Sequence, residues 1–197
     1  LERAIRLSDR QFSLFLARCN VPAQRQQAVD GLRARLAADG IQIREFDLPS
    51  GLGSVLHEVL SGLRAPYGLE TPDPLPQGES ALPEPLRDER LAFFVYGLER
   101  SLPSRETYYP ALAVLNWQRE LFRQALPGPL VLWLPEYALQ LLAENAPDFW
   151  AWRSGVFRFG GDLPQAEALR QQLEPDRGQL ALSRLTLAEK QERLALL

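Results

Sequence analysis

Three apolar runs constrain this chain more than anything else in it: Ser13–Cys19 (SLFLARC), Leu91–Tyr96 (LAFFVY) and Leu130–Leu134 (LVLWL). A strand with one wet face alternates apolar and polar residues, whereas continuous runs belong to strands buried on both faces. Such strands need a sheet covered by helices on each side, so the segments between the runs must supply the cover. From Pro22 to Ala38 apolar residues recur at helical spacing (Ala28, Val29, Leu32, Leu36). Pro22 suits a first helical turn, and Asp39-Gly40 is a stop. Ser54–Leu63 repeats the helical pattern with Ser54 as its cap. Pro110–Leu126 reads as one helix with Leu112, Leu115, Leu121 and Phe122 inward, ended by Pro127-Gly128-Pro129. Glu136–Asn145 and Pro147–Trp152 read as two short helices. Weaker strands complete the set: Ile41–Phe46 (IQIREF), which alternates and so belongs at an edge, and Val156–Phe159 (VFRF), closed by Gly160-Gly161.

Strands joined by helical crossovers make a mainly parallel sheet, and the expected architecture is a three-layer α/β sandwich. At 197 residues the chain suits one domain, assigned to residues 1–162. Within it, residues 66–90 carry six prolines among acids and read as a long mobile loop, after which the strand pattern resumes. Residues 163–197 hold two further helical patterns, Pro164–Leu173 and Leu185–Leu197, leading toward a downstream region. The chain begins at Leu1 and contains no methionine, so it is expected to be a fragment of a longer protein.

The net charge of −3 does not indicate a basic face for nucleic acid. Cys19 is the single cysteine, which precludes an internal disulfide and fits a reducing, cytoplasmic setting. No apolar run approaches the roughly 20 residues of a membrane span. His57 is the single histidine and has no second His or Cys with which to form a metal site.

In open parallel sheets ligands sit beyond the carboxyl ends of the strands, so chemistry is sought there. After the third strand comes FFVYGLER (Phe93–Arg100). It resembles the Walker B segment of the NACHT and wider STAND group of signalling NTPases: apolar residues, an Asp, a small residue, an apolar residue, then two acids. Gly97 and Leu98 fit the small and apolar places and Glu99 the first trailing acid. Tyr96 stands where that pattern has its metal-associated Asp, and Arg100 where it has the second acid. A phenol does not replace a carboxylate as a Mg²⁺ ligand. A phosphate-binding loop after the first strand would read GxxxxGK[ST]. The aligned stretch is Cys19-Asn20-Val21-Pro22-Ala23-Gln24-Arg25-Gln26. It has neither glycine, Arg25 at the Lys position, Gln26 at the hydroxyl position, and a proline lacking the N–H such a nest uses.

Leu115–Phe159 (LNWQRELFRQALPGPLVLWLPEYALQLLAENAPDFWAWRSGVFRF) resembles the N-terminal NTPase-like domain of bacterial proteins that carry tetratricopeptide repeats. The resembling elements are Leu-Asn, a strand ending Trp-Leu-Pro, Ala-Pro-Asp-Phe-Trp and Arg-Ser-Gly-Val-Phe. With the VYGLE strand and Cys19–Pro22, the resemblance spans most of residues 10–160. It implies a P-loop NTPase type of sheet with strand order 5-1-4-3-2, followed by helical repeats through which protein partners would be bound. The departures at Tyr96 and across Asn20–Gln26 point to a non-hydrolysing regulatory or scaffold module with no cofactor. The alternative is a nucleotide-dependent switch with a divergent ATP or GTP site.

No catalytic residue is assigned; Glu99 is the candidate, as an acid that orients water, against a solvated or Arg-paired acid at a strand end. Arg25, Asn20 and Arg153 are the candidate nucleotide contacts. For Arg25 the competing reading is a surface arginine. For Arg153 it is a structural guanidinium packed on Trp150 or Trp152. Trp133 reads as core. Asn116 reads as a structural hydrogen-bonding residue, and Ser50–Ser54 as a helix-entry turn.

Overall fold

The computed structural model describes residues 1–8, 10–72, 81–102 and 108–160. These fall in one compact unit, Leu1–Gly160. The helical patterns expected over residues 163–197, and residues 73–80 of the Pro-rich loop, lie outside the described residues.

Five strands form the sheet: β1 (Ser13–Arg18), β2 (Ile41–Asp47), β3 (Arg90–Tyr96), β4 (Pro129–Leu134) and β5 (Arg153–Arg158). All neighbouring pairs are parallel, and the order is β2-β3-β4-β1-β5. Read from the other edge this is 5-1-4-3-2, the expected order. The three apolar runs are the three central strands, and the alternating IQIREF segment is an edge.

Seven helices cover the described sheet: α1 (Glu2–Leu7), α2 (Pro22–Ala37), α3 (Val55–Arg64), α4 (Pro110–Trp117), α5 (Arg119–Ala125), α6 (Glu136–Asn145) and α7 (Pro147–Ala151). The period of two in the strands divides the core. Leu14, Leu16, Phe93, Val95, Leu130, Leu132 and Leu134 face α3–α7, while Phe15, Ala17, Phe94, Tyr96, Val131 and Trp133 face α1 and α2. The sandwich is therefore three-layered, with five helices on one side and two on the other.

Three expectations need correction. The helix over Pro110–Leu126 is two helices, broken at Gln118 (φ −82°, ψ 4°), whose side chain accepts a hydrogen bond from Ser54 Oγ at 2.7 Å. The last strand starts at Arg153, not Val156, because α7 stops at Ala151 and the next residues pair with Leu14 and Phe15 of β1 across a register shift. Phe159 follows the strand, with its N–H donating to Arg18 O at 2.8 Å. The carboxyl side of the Pro-rich stretch is no free loop: Ala81, Leu82 and Leu86 are buried in the α3–α7 core.

Candidate functional site

The carboxyl ends of β1, β4 and β3 meet the first turn of α2 and the start of α6. The chain after β1 is tied down on arrival. Cys19 N–H donates to Leu134 O at 3.0 Å, and its thiol to Val21 O at 3.3 Å. Arg18 forms an ion pair with Glu136. Asn20 Oδ1 accepts the Glu136 N–H at 2.8 Å, so this side chain caps α6. Pro22 is the first residue of α2, whose preceding residue Val21 makes no side-chain cap. Phosphate-cradling loops present several consecutive N–H groups, and here Pro22 has none to present.

Arg25 and Tyr96 come together. The guanidinium carbon of Arg25 lies 4.7 Å from the centre of the Tyr96 ring, within the range of a cation–π contact. The Tyr96 hydroxyl donates to Glu45 Oε2 at 2.7 Å, and Glu45 is also held by Arg33 of α2. Burial pushes the ionisation of Tyr96 well above its usual range, against the opposing pull of Arg25 and Arg33. Beneath it lies Trp133, 6.4 Å from the Tyr96 ring and 4.7 Å from that of Phe159. Trp133 is 1 % exposed, and its Nε1 has no hydrogen-bond partner among the described residues. Aromatic rings thus fill the carboxyl ends of β3 and β4, and a guanidinium covers Tyr96. Gln24 lies against Gly160 on the β5 side, where a Cβ added to Gly160 would meet Gln24 Oε1 at 2.2 Å.

The chain leaves β3 through Gly97 in the left-handed region (φ 85°) and enters a 3-10 turn over Leu98–Ser101. Arg100 pairs with Asp47 at the end of β2 (2.6 Å) and donates to Leu48 O (2.9 Å). Ser101 Oγ accepts the Leu52 N–H at 3.0 Å. The Ser50–Ser54 stretch is a helix entry: Ser54 Oγ accepts the His57 N–H at 3.1 Å in the first turn of α3.

Among the described residues Glu99 pairs with no arginine, and it is only partly exposed. Its Oε2 is buried with no hydrogen-bond partner among the described residues. The Tyr137 hydroxyl donates to Glu99 main-chain O at 3.4 Å, and burial, then the Glu99 charge, raises the Tyr137 ionisation. Arg153 is not part of this site. It starts β5 opposite Leu14, at the amino-terminal end of the sheet, with its guanidinium 4.1 Å from the Trp150 ring centre and donating to Trp150 O at 2.8 Å. Asn116 caps α7, accepting the Phe149 N–H at 2.9 Å. Among the described residues no group of three or more His, Cys, Asp or Glu could hold a metal ion, and no helix is long and apolar enough to cross a membrane.

The pairing of Tyr96 with Glu45 was not anticipated, although the signal exists. With β2 beside β3 in register, Glu45 opposes Phe94, and Tyr96 is then its diagonal neighbour on the same face. The Arg100–Asp47 pair has the same origin, since Asp47 opposes Tyr96.

No protein-family model matches the chain, and no curated protein matches it. Among solved structures it is similar to the Aeropyrum pernix ORC2 protein in its ADPNP–ADP complexes, with TM-score 0.49 and 14% identity over 80% of this chain and 45% of that one. It is similar to the ADP form of that protein with TM-score 0.44 and 13% identity over 88% and 51%. The chain therefore spans about half the length of the structures it matches. What identifies the fold is the sheet itself, a five-stranded parallel α/β sandwich in the order β2-β3-β4-β1-β5.

Proposed function

We propose that this chain is a non-hydrolysing, NTPase-like regulatory or scaffold module of a larger signalling protein. One observation carries the reading: Arg25 stacks on Tyr96 at 4.7 Å while Tyr96 donates to Glu45. The residue in the lysine place and the residue in the metal-carboxylate place satisfy each other, so neither is presented to a phosphate or to Mg²⁺. Asn20 supports the same reading, because its acceptor is committed to the start of α6. In this proposal the sheet is a frame, no cofactor is required, and recognition of protein partners falls to surfaces and to helical repeats farther along the chain. The proposed setting is the cytoplasm of a bacterium, in a tetratricopeptide-repeat protein of STAND-like descent.

Isothermal titration with ATP, ADP and GTP, each with and without Mg²⁺, tests it. No saturable heat is expected at up to millimolar nucleotide, and micromolar binding with turnover would overturn the proposal.

A second reading has its own observation. Among the described residues Glu99 Oε2 is buried without a donor, and α2 opens without a side-chain cap. A nucleotide-dependent switch would use that acceptor and that helix end, with Arg25 swung off Tyr96 onto phosphate. This reading expects measurable ATP binding that Arg25→Ala abolishes; binding left unchanged by Arg25→Ala rules out the role given to that residue.

A further inference from the structure

The sheet has two edges, and they are defended unequally. β2 carries Arg44, Glu45 and Asp47, and charge is the usual guard of an exposed edge. β5 ends the order on the other side, and its residues Ser154–Phe157 carry no charge. Arg153, at its start, is drawn back onto Trp150. Among the described residues no main-chain hydrogen bond from outside the sheet reaches Ser154–Arg158. The chain leaves β5 on its β1 side, where Gly160 lies against Gln24 and Cys19. The direction of the free groups follows from the ladder. Phe159 N–H donates to Arg18 O, and Arg18 is the register partner of Arg158. Main-chain groups alternate along a strand, so Gly155 and Phe157 also turn theirs toward β1, while Val156 and Arg158 turn theirs outward. Side chains alternate too. Phe157 joins the α1–α2 face beside Phe15, with ring centres 5.8 Å apart, and Ser154, Val156 and Arg158 are exposed.

We propose that β5 pairs with β5 of a second copy of this chain, antiparallel about a two-fold axis at Val156, so that the two sheets run on as one. In an antiparallel pair outward groups must meet outward groups, so the axis passes through a residue facing its own counterpart. An axis at Ser154 or Gly155 sets the register shift or a bare glycine pair at its centre. An axis at Phe157 or Arg158 sets Arg158 opposite Val156 or opposite itself, and like charges directly opposite are destabilising. An axis at Val156 is self-complementary along the whole strand. Val156 meets Val156, and their outward N–H and C=O groups bond reciprocally. Gly155 meets Phe157 in a non-hydrogen-bonded pair, where Cα atoms approach to about 4.5 Å. The glycine leaves room for the ring, and an aromatic partner is a good cover for an edge glycine. Ser154 meets Arg158 and Arg153 meets Phe159, so no like charges are opposed. The register shift then falls at the Arg153–Ser154 end, away from the axis.

Such pairing uses the same patch on both copies and closes as a dimer, leaving the charged β2 strands as the outer edges. One strand pair is a small interface, so association in the micromolar range is expected. The proposal goes beyond the scaffold reading and does not depend on whether a nucleotide binds at the strand ends.

Sedimentation velocity of the full chain, from low micromolar to submillimolar concentration, is expected to show a monomer–dimer equilibrium. Val156→Lys and Val156→Glu each set like charges opposite one another at the axis. Each is expected to weaken association about tenfold, the combined scale of a lost apolar pair and a like-charge pair. Mixed in equal amounts, the two variants are expected to associate about as tightly as the parent chain, because only at the axis does a residue face its own counterpart. Val156 is 40% exposed, and unchanged far-ultraviolet circular dichroism confirms that both variants are folded. In the ¹⁵N-labelled parent chain, amide exchange at Val156 and Arg158 is expected to slow as concentration rises, a readout that needs no variant. Tyr67→Ala, beside the β2 edge and 41% exposed at the replaced residue, is expected to leave association unchanged. The proposal is overturned by a monomer at every concentration, by exchange at Val156 that ignores concentration, or by either charged variant associating as tightly as the parent. A mixture no tighter than its components, or a dimer that Tyr67→Ala dissociates, equally overturns it.

Discussion

Gly97→Ala is expected to lower the free energy of unfolding by about 3 kcal/mol or more. Two causes add. Gly97 has φ 85°, a left-handed conformation in which a side chain carries strain of roughly 1–3 kcal/mol. The added Cβ would also sit 2.8 Å from Leu48 O, 3.0 Å from Asp47 Oδ1 and 3.1 Å from Arg100 Cζ. The nearest of these is main chain, which does not rotate away, so the ends of β2 and β3 must part or the 3-10 turn must shift. Either movement pulls Arg100 from Asp47 and moves Glu99. Gly51→Ala is the control, because Gly51 has the same sign of φ (73°) and nothing within 4 Å of its Cβ. It carries the conformational cost alone, about 1–2 kcal/mol. Urea unfolding of the three proteins separates the two causes, and equal losses in both variants would refute the close approach of Gly97 to the β2 end.

The central sheet was readable because the middles of its three central strands, Leu14–Ala17, Ala92–Val95 and Leu130–Leu134, hold only apolar residues, and the one alternating strand announced an edge. What failed was decided by contacts distant in sequence. Nothing local breaks the helix at Gln118, which is neither Gly nor Pro; the break coincides with its hydrogen bond to Ser54, 64 residues away. Arg153-Ser154-Gly155 has no strand-like pattern, and it becomes strand only because β1 offers an open edge to pair with. At the site, each departure from a phosphate loop was visible one residue at a time, but the stacking of Arg25 on Tyr96 required β3 and the first turn of α2 to be brought together by the fold. Arg153 is the opposite case. A residue that precedes a parallel strand lies at the amino-terminal end of the sheet, so the rule that places ligands at carboxyl ends removes it from the site.

Trp133 should divide two contributions that are usually merged. Trp133→Ala is expected to cost about 3–5 kcal/mol, the range for emptying a fully buried aromatic site. The side chain is 1 % exposed and touches rings from two other strand ends, Tyr96 of β3 and Phe159 beyond β5. Its collapse would be resisted on both sides by main chain that the sheet holds in register. Trp133→Phe is expected to cost only about 1 kcal/mol, because two terms oppose. A smaller ring loses packing, yet it also removes an indole N–H that is buried without an acceptor among the described residues, a penalty of roughly 1–3 kcal/mol in the parent protein. Denaturant unfolding followed by circular dichroism reads both variants without relying on the altered fluorophore. A Phe variant that loses as much as the Ala variant would mean that the indole N–H has a partner in solution, most simply a bound water or ligand within the strand-end crevice. That outcome would count against a crevice filled by its own side chains and in favour of one that holds a guest.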